Sequence, residues 1–246
     1  MAILVTGGTK GIGLDIALAF ATPGNDVCLN YHADDAAADD ARAEIEAKGA
    51  RCHLIKGDVG TAAGCKAVIA RVHAASRQLD QLVHCAVRVV AKPTLEITPD
   101  ELAAAVAVNG LALHSLVQAA LPLFRPGSTV FLLTSRGGRM VIPNYAAIGI
   151  GKALAESLVR YLAVELAPKG VRINCVAPSV VETEAVRALF GDKTKGIMQH
   201  AASDNPTGRA VRPEDYTNLI RYLASPEASF IQGQVIYVNG GHNMMA

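Results

Sequence analysis

A glycine-rich loop near the start of the chain has the residue types needed to hold a pyrophosphate. It reads Thr6-Gly7-Gly8-Thr9-Lys10-Gly11-Ile12-Gly13, follows an apolar run directly and opens a helical stretch. Glycines in such a loop let the backbone turn sharply and approach a pyrophosphate, which then binds the free N–H groups at the helix N-terminus. An ordinary turn with glycine caps is the alternative interpretation. The place of the loop between a strand and a helix favours dinucleotide binding.

The charges near this loop bear on the choice of dinucleotide. Sites that select NAD place an acid near the end of the second strand, where it holds the ribose 2′-hydroxyl. Here the second strand ends Asn30-Tyr31-His32, and Asp34 and Asp35 come after it. Lys10, inside the loop, can meet the 2′-phosphate of NADPH as a cation. These residues predict NADPH as the cofactor, with a solvated loop lysine as the alternative interpretation of Lys10.

Short apolar runs alternate with Ala-rich helical stretches along the whole chain. The expected strands are Ile3–Thr6, Val27–Asn30, Cys52–Lys56, Gln81–Cys85, Thr129–Thr134, Arg172–Ala177 and Gln234–Val238. This alternation predicts right-handed crossovers and a parallel sheet that is covered on both faces. We therefore expect an α/β fold with a doubly wound, Rossmann-type sheet of about seven strands, in one domain over residues 1–246. The irregular segment 179–212 is interpreted as a substrate lid or, equally, as a plain surface excursion.

The composition excludes several classes of protein. Of 246 residues, 51% are hydrophobic and 18% are charged, so the chain can bury a large core and is not intrinsically disordered. A net charge of +1 offers no global attraction to nucleic acid or to an anionic membrane. The cysteines and histidines lack metal-ligand spacing, and scattered free thiols are typical of a reducing compartment. The start of the chain lacks a signal-peptide pattern, and we interpret the uncharged stretch Leu102–Phe124 as a core helix, so a cytoplasmic location is predicted.

Together the motifs resemble those of the short-chain dehydrogenase/reductase family over nearly the whole chain. The loop Thr6–Gly13 is similar to the family's TGxxxGxG motif. Ser135 and Lys152 resemble its catalytic serine and lysine, and Asn109 stands where the family has a structural and catalytic asparagine. The resemblance implies cofactor contacts from Gly7, Thr9, Lys10, Gly11, Ile12, Gly13, Asp58, Val59, Lys152, Pro178 and Thr183. It also implies a homotetramer, assembled through the helix that begins near Lys152 and through the C-terminal strand.

The sequence departs from the family pattern in places that bear on function. The family's tyrosine normally stands four residues before the lysine, but that position holds Ile148, and the available tyrosine is Tyr145. A Tyr-x6-Lys spacing is similar to that of the bacterial enoyl-acyl-carrier-protein reductases, most of all the NADPH-using FabL type. Elsewhere, His84-Cys85-Ala86-Val87 replaces the family's Asn-Asn-Ala-Gly, and Ser179 replaces a glycine after the proline.

The displaced tyrosine suits the reduction of an enoyl thioester. Residues seven apart on a helix return to nearly the same face, ~10 Å along the axis, so Tyr145 can still point into the cleft that holds Lys152. In the reduction of an enoyl thioester, hydride adds to the β-carbon of the substrate and negative charge collects on the thioester oxygen. A hydrogen-bond donor is therefore needed at that oxygen. Within the resemblance, Lys152 is expected to hold the nicotinamide-ribose hydroxyls and to favour the phenolate of Tyr145, and Ser135 is a second donor. The structural alternatives are a helix-start anchor for Tyr145, a surface lysine for Lys152 and a strand-end cap for Ser135.

Three functions remain open from the sequence. The first is an NADPH-dependent enoyl-thioester reductase whose substrate is carried on acyl carrier protein or coenzyme A. The second is an NADPH-dependent carbonyl reductase of β-ketoacyl or polyketide-type substrates, which the retained Ser135 and Asn109 support. The third is a non-catalytic NADPH-binding protein, which Ile148 and the altered segment 84–87 would allow. Neither nucleic acid nor a membrane is expected as a partner, and no metal is expected.

Overall fold

Seven parallel strands form one sheet in the computed structural model, which describes residues 1–242. The strands are β1 (Ala2–Thr6), β2 (Asp26–Tyr31), β3 (Arg51–Lys56), β4 (Gln81–His84), β5 (Thr129–Leu133), β6 (Arg172–Pro178) and β7 (Val235–Val238). Their order across the sheet is β3-β2-β1-β4-β5-β6-β7, and every neighbouring pair is parallel. The predicted doubly wound α/β fold is therefore confirmed. Of the predicted domain 1–246, residues 243–246 lie outside the described residues.

Nine α-helices in residues 1–242 connect and cover the strands. They are α1 (Gly11–Phe20), α2 (Asp35–Ala47), α3 (Ala62–Ala75), α4 (Pro99–Val106), α5 (Ala112–Ala120), α6 (Ala146–Leu166), α7 (Glu184–Phe190), α8 (Thr194–Ser203) and α9 (Pro213–Ala224). Short 3₁₀ turns lie at Thr94–Glu96, Leu121–Leu123, Arg136–Gly138, Ala167–Lys169, Gly191–Lys193 and Pro226–Ala228. The segment 179–212, which the sequence analysis interpreted as a substrate lid or a plain surface excursion, contains α7 and α8.

Each face of the sheet has its own hydrophobic core. On one face α1, α2 and α9 contribute the fully buried side chains Ile16, Ile45 and Ile220. On the other face α3, α5 and α6 pack in the same way, with Leu116 and Val159 fully buried. Because helices cover both faces, a central strand has no polar face, and β1 and β5 are buried along their whole length.

The long apolar stretch that the sequence analysis assigned to a core helix folds as α4, a π-helical turn (Ala107–Leu111) and α5. By length and composition alone, Pro99–Leu123 could cross a membrane. In the fold, only one side of this stretch packs into the hydrophobic core. Leu113 and Leu116 on that side are fully buried, whereas Leu111 is half exposed. This stretch is thus a helix of the outer layer, packed on the sheet through one face.

The carboxyl ends of the strands meet at one edge of the sheet, and the strand order reverses between β1 and β4. In doubly wound sheets a ligand-binding crevice forms at this point of reversal. The glycine-rich loop leaves β1 at this edge, and the segments that follow β4, β5 and β6 border it. The topology therefore positions the predicted site residues around a single crevice.

Candidate active site

A cleft of about 1030 Å³ opens at this edge of the sheet. Its size is at the upper end of the usual range for small-molecule sites, roughly 300–1,000 Å³, which suits an extended ligand such as a dinucleotide with a substrate beside it. The cleft brings together most of the predicted site residues: Gly7, Thr9, Lys10, Gly11, Ile12, Gly13, Ser135, Tyr145, Lys152, Pro178 and Thr183. The predicted residues Asp58, Val59 and Asn109 are not part of its wall.

The glycine-rich loop is tight because its glycines touch other backbone atoms. Gly7 has a φ of 62°, and a Cβ at this position would lie 2.8 Å from the Cα of Ala86. A Cβ at Gly13 would lie 2.1 Å from the carbonyl oxygen of Gly7. The loop leads into α1, whose N-cap residue Lys10 makes no capping hydrogen bond with its side chain. The first N–H groups of α1 are thus left for an anion, so this end of the cleft fits a pyrophosphate.

The ammonium of Lys10 is paired with two carboxylates. Its Nζ lies 2.5 Å from Asp34 Oδ2 and 2.8 Å from Glu184 Oε2. Asp34 is the N-cap residue of α2, and it lines the cleft together with Tyr31 and His32. The sequence analysis had placed Asp34 beyond the end of the second strand and had used the missing acid at that end as one of two reasons for NADPH. That reason does not hold in the structure, because the turn after β2 folds back towards Lys10.

Tyr145 is the N-cap residue of α6, and its ring lies on the 3₁₀ turn Arg136–Gly138. Burial raises the pKa of its phenol, while the neighbouring Ser135 hydroxyl and Arg136 guanidinium lower it. Lys152 is not among the groups that shift this pKa, although the sequence analysis expected its charge to favour the phenolate. At neutral pH, Tyr145 is therefore a protonated hydrogen-bond donor beside Ser135.

Lys152 lies on α6, one turn after Ile148, and only 5% of it is exposed. Burial lowers the pKa of its ammonium, while Cys85, Cys175 and Glu156 raise it. Within residues 1–242 this ammonium has no hydrogen-bond partner, although it lines the cleft. A buried cation without a partner at the wall of a cleft fits a hydroxylated ligand group, such as a ribose.

Ile148 fills the position of the family's usual tyrosine. It is 3% exposed and lines the cleft, but it has no hydrogen-bonding group. The phenol of this region of α6 therefore comes from Tyr145, at the start of the helix. This arrangement places the donor next to the turn that follows β5.

Asn109 lies in the π-helical turn and is fully buried. Its Oδ1 accepts a hydrogen bond of 2.9 Å from the Arg88 N–H, and its Nδ2 donates to the Arg88 carbonyl at 3.0 Å. The amide is thus occupied by backbone groups, so Asn109 fixes the segment that follows β4. The structure does not bring this side chain to the cleft wall, and the family resemblance alone supported its catalytic role.

Asp58 and Val59 also face other parts of the molecule. The carboxylate of Asp58 accepts a hydrogen bond of 2.7 Å from the Gly60 N–H, and Val59 packs into the core formed with α3. Their predicted cofactor contacts came from the family resemblance, and the structure places neither residue in the wall of the cleft.

His84 accounts for one departure from the family pattern. Its Nδ1 lies 2.8 Å from the Thr6 hydroxyl, and its Nε2 lies 3.0 Å from the Val108 carbonyl. Burial, assisted by the charge of Lys152, lowers the pKa of His84 to about 3, so the ring is neutral. Because a carbonyl only accepts, Nε2 carries the proton and the Thr6 hydroxyl donates to Nδ1. His84 therefore ties the ends of β1 and β4 to the π-helical turn.

Arg136 and Glu184 are cleft residues that the sequence analysis missed. The guanidinium of Arg136 has no hydrogen bond or ion pair within residues 1–242, whereas the nearby Arg139 pairs with Glu156 at 3.0 Å. A cation directly after Ser135 is a signal that the sequence offered. Glu184 offered none, because it reaches Lys10 only through the fold. In the described part of the chain no group of three or more His, Cys, Asp or Glu side chains could hold a metal ion.

Comparisons with known proteins show which families and structures the chain is similar to. A family model described as enoyl-(acyl carrier protein) reductase matches residues 7–243. The chain is 30% identical over 243 residues to the 1-cyclohexenylcarbonyl-CoA reductase of Streptomyces collinus, covering 99% of this chain and 87% of that protein. A solved short-chain dehydrogenase/reductase from Serratia marcescens has a TM-score of 0.87 at 26% identity, covering 99% of this chain and 98% of that one. The angucycline C-6 ketoreductase LanV with bound NADP has a TM-score of 0.88 at 25% identity, covering 98% and 95%.

Proposed function

The chain belongs to the short-chain dehydrogenase/reductase family, and we propose that it is an NADPH-dependent reductase of enoyl thioesters, of the FabL type. The observation that carries this proposal is the placement of the phenol. Ile148 fills the usual tyrosine position, and Tyr145 supplies the hydroxyl from the start of α6. The enoyl-(acyl carrier protein) reductase family model and the Streptomyces collinus relative support the same assignment.

The residues of the cleft divide into a cofactor end and a substrate end. The glycine-rich loop, the start of α1 and the Lys152 ammonium would hold a nicotinamide dinucleotide, which when bound supplies a hydride. At the other end, apolar side chains line the cleft and would exclude water around an acyl chain; they are Val87, Ile142, Val181, Leu189 and Ile197. Such a wall also strengthens every hydrogen bond that is made inside the cleft.

Tyr145 would stabilise the negative charge that develops on the substrate. When the β-carbon accepts the hydride, electrons move towards the thioester oxygen, and an enolate forms. The neutral Tyr145 phenol would donate a hydrogen bond to this oxygen, with the Ser135 hydroxyl as a second donor. The guanidinium of Arg136, which shifts the pKa of Tyr145, provides a positive charge on the same side of the cleft.

The choice of NADPH depends on Lys10, which stands in the glycine-rich loop where a 2′-phosphate could bind. The NADP bound to the LanV ketoreductase supports it by likeness. The likeness to a ketoreductase also supports the second candidate function, reduction of a β-ketoacyl or polyketide-type carbonyl. In this chain, Ser135 lies beside the Tyr145 phenol, and this pair of hydroxyls would suit a ketone oxygen equally.

The same proposal includes the carrier, the assembly and the location of the protein. The acyl group would be carried on acyl carrier protein or coenzyme A, in the cytoplasm. Tyr161 and Val164 are 71% and 74% exposed on α6 and would lie between subunits of a homotetramer. A light-scattering mass equal to the 25.7 kDa chain under dilute, near-physiological conditions would contradict the tetramer.

The test of the proposed activity is a comparison of two substrates. NADPH oxidation is followed with a crotonyl thioester and, side by side, with an acetoacetyl thioester at the same concentrations. We expect faster turnover of the crotonyl thioester. Turnover of the acetoacetyl thioester alone would establish the carbonyl reductase, and binding of NADPH without turnover of either would favour a binding protein.

A further inference from the structure

Glu184 connects the segment 179–212 to the phosphate end of the cleft. Lys10 Nζ donates hydrogen bonds to both of its carboxylate oxygens, at 2.9 Å to Oε1 and 2.8 Å to Oε2. Glu184 is the first residue of α7, and α7 also lines the cleft through Ala185, Ala188 and Leu189. The ion pair thus joins the glycine-rich loop to the helix that borders the substrate end.

A second contact fixes the start of α7 against the same loop. A Cβ at Gly11 would lie 2.8 Å from Thr183 Cγ2, so Thr183 packs directly on this glycine. Thr183 is the N-cap residue of α7, and its hydroxyl accepts a hydrogen bond of 3.3 Å from the Val186 N–H. Packing of the Thr183 side chain on Gly11 therefore holds the start of α7, and with it Glu184, next to the loop that contains Lys10.

The two carboxylates around Lys10 differ in what else they do. Asp34 also caps α2, because its Oδ1 accepts a hydrogen bond of 3.0 Å from the Ala37 N–H. Within residues 1–242, the carboxylate of Glu184 has no hydrogen-bond donor other than Lys10. A competing anion would consequently displace the Glu184 carboxylate from Lys10 more easily than the Asp34 carboxylate. Moving Asp34 away would also break the hydrogen bond that caps α2.

We propose that Glu184 is a determinant of cofactor choice, because it competes with the 2′-phosphate of the dinucleotide for Lys10. This inference rests on the proposed dinucleotide-binding function. A 2′-phosphate carries a charge of about −1.5 to −2 and would meet one ammonium between two carboxylates. It must replace Glu184 at Lys10, where Asp34 remains paired with the ammonium and repels the incoming phosphate. NADH has a hydroxyl in this position and requires no such exchange.

The test measures dissociation constants of NADPH and NADH by fluorescence titration at fixed low salt. Glu184→Gln keeps the size of the side chain and removes its charge. We expect it to bind NADPH about fivefold more tightly, the scale of an exposed ion pair, and to change NADH binding by less than about twofold. Glu182→Gln is the matched control: Glu182 pairs with Arg187 at 3.2 Å and does not contact Lys10. It should leave both constants within about twofold of wild type.

A second pair of variants tests whether the effect acts through Lys10. In a Lys10→Ala background, Glu184→Gln should no longer improve NADPH binding, because the competed cation is gone. Unchanged or weaker NADPH binding by Glu184→Gln alone would overturn the proposal, as would an equal gain for NADH. A gain that persists without Lys10 would also overturn it, since direct repulsion would then explain the effect. If wild type binds neither dinucleotide, the proposed function itself fails, which is a different result from an unchanged ratio.

Discussion

The ring of Tyr145 lies directly against Gly137, in the turn that follows Ser135. A Cβ at Gly137 would lie 2.4 Å from Cε1 and 2.5 Å from Cδ1 of this ring. Gly137 is not among the glycines with positive φ, so the contact with Tyr145, rather than the backbone conformation, requires a glycine here. The turn after β5 thus sets the position of both hydroxyls of the proposed site.

Gly137→Ala should therefore reduce turnover without loss of cofactor binding. The added methyl group must push the Tyr145 ring away, and a displacement of about 1 Å can cost roughly 100-fold in rate. The expected result is a kcat lowered by roughly 10- to 100-fold with the NADPH dissociation constant unchanged. Gly138→Ala is the milder comparison variant, because a Cβ there would meet no atom closer than 3.3 Å and would not touch Tyr145, so its kcat should fall less. Equal losses of kcat in the two variants would show that the contact with Tyr145 is not the cause.

His84 should make the stability of the protein depend on pH. The folded protein keeps His84 neutral because burial lowers its pKa to about 3, whereas the unfolded chain takes up a proton near the ordinary value of 6.5. Unfolding therefore binds a proton between these values. The contribution to stability is fully present above pH 6.5 and is lost as the pH falls towards 3.

Urea unfolding at a series of pH values measures this effect. Between pH ~6 and ~4, the free energy of unfolding of wild type should fall more steeply than that of His84→Asn, by up to about 1.4 kcal/mol per pH unit. Asparagine is the matched substitution, because it has a donor and an acceptor but does not titrate. Parallel curves for the two proteins would mean that His84 is not the group responsible.

Much of the fold could be predicted because each strand is a local signal. Apolar runs bounded by turn residues predicted all seven strands, with each end within one residue of its observed position. For example, Gln81–Cys85 was expected and β4 ends at His84. The glycine-rich loop was equally local, since it lies between β1 and α1. Features of this kind depend on neighbours in the sequence, and so they can be read without a structure.

The parts of the site that were missed depend on distant contacts. Glu184 and Lys10 are separated by 174 positions, and no pattern near either residue indicates that they pair. Asp34 was placed only after the end of the second strand, because the path of the chain after β2, which brings Asp34 to the cleft, cannot be predicted from residue types. The Tyr145 phenol and the Lys152 ammonium were expected to act on one another, but packing on Gly137 turns the phenol towards Ser135 and Arg136.

Arg136 should control the ionisation of Tyr145. Its guanidinium lowers the pKa of the phenol, against the larger effect of burial, so Arg136→Gln should raise that pKa further. The measurement is an ultraviolet titration of the phenolate, taken as the difference between each protein and its Tyr145→Phe counterpart. Arg136→Lys retains the charge and should keep the pKa near that of wild type. A pKa that does not move in Arg136→Gln would exclude this interaction.

The central claim is that Tyr145, displaced from the usual position, donates the hydrogen bond that stabilises the enolate. Its most direct test is the NADPH-dependent reduction of a crotonyl thioester by Tyr145→Phe, which removes only the hydroxyl. We expect kcat to fall by ~10²–10³ while the NADPH dissociation constant stays near that of wild type. Tyr222→Phe, at an exposed position of α9 outside the cleft, should keep full activity. Full enoyl reduction by Tyr145→Phe would contradict the claim.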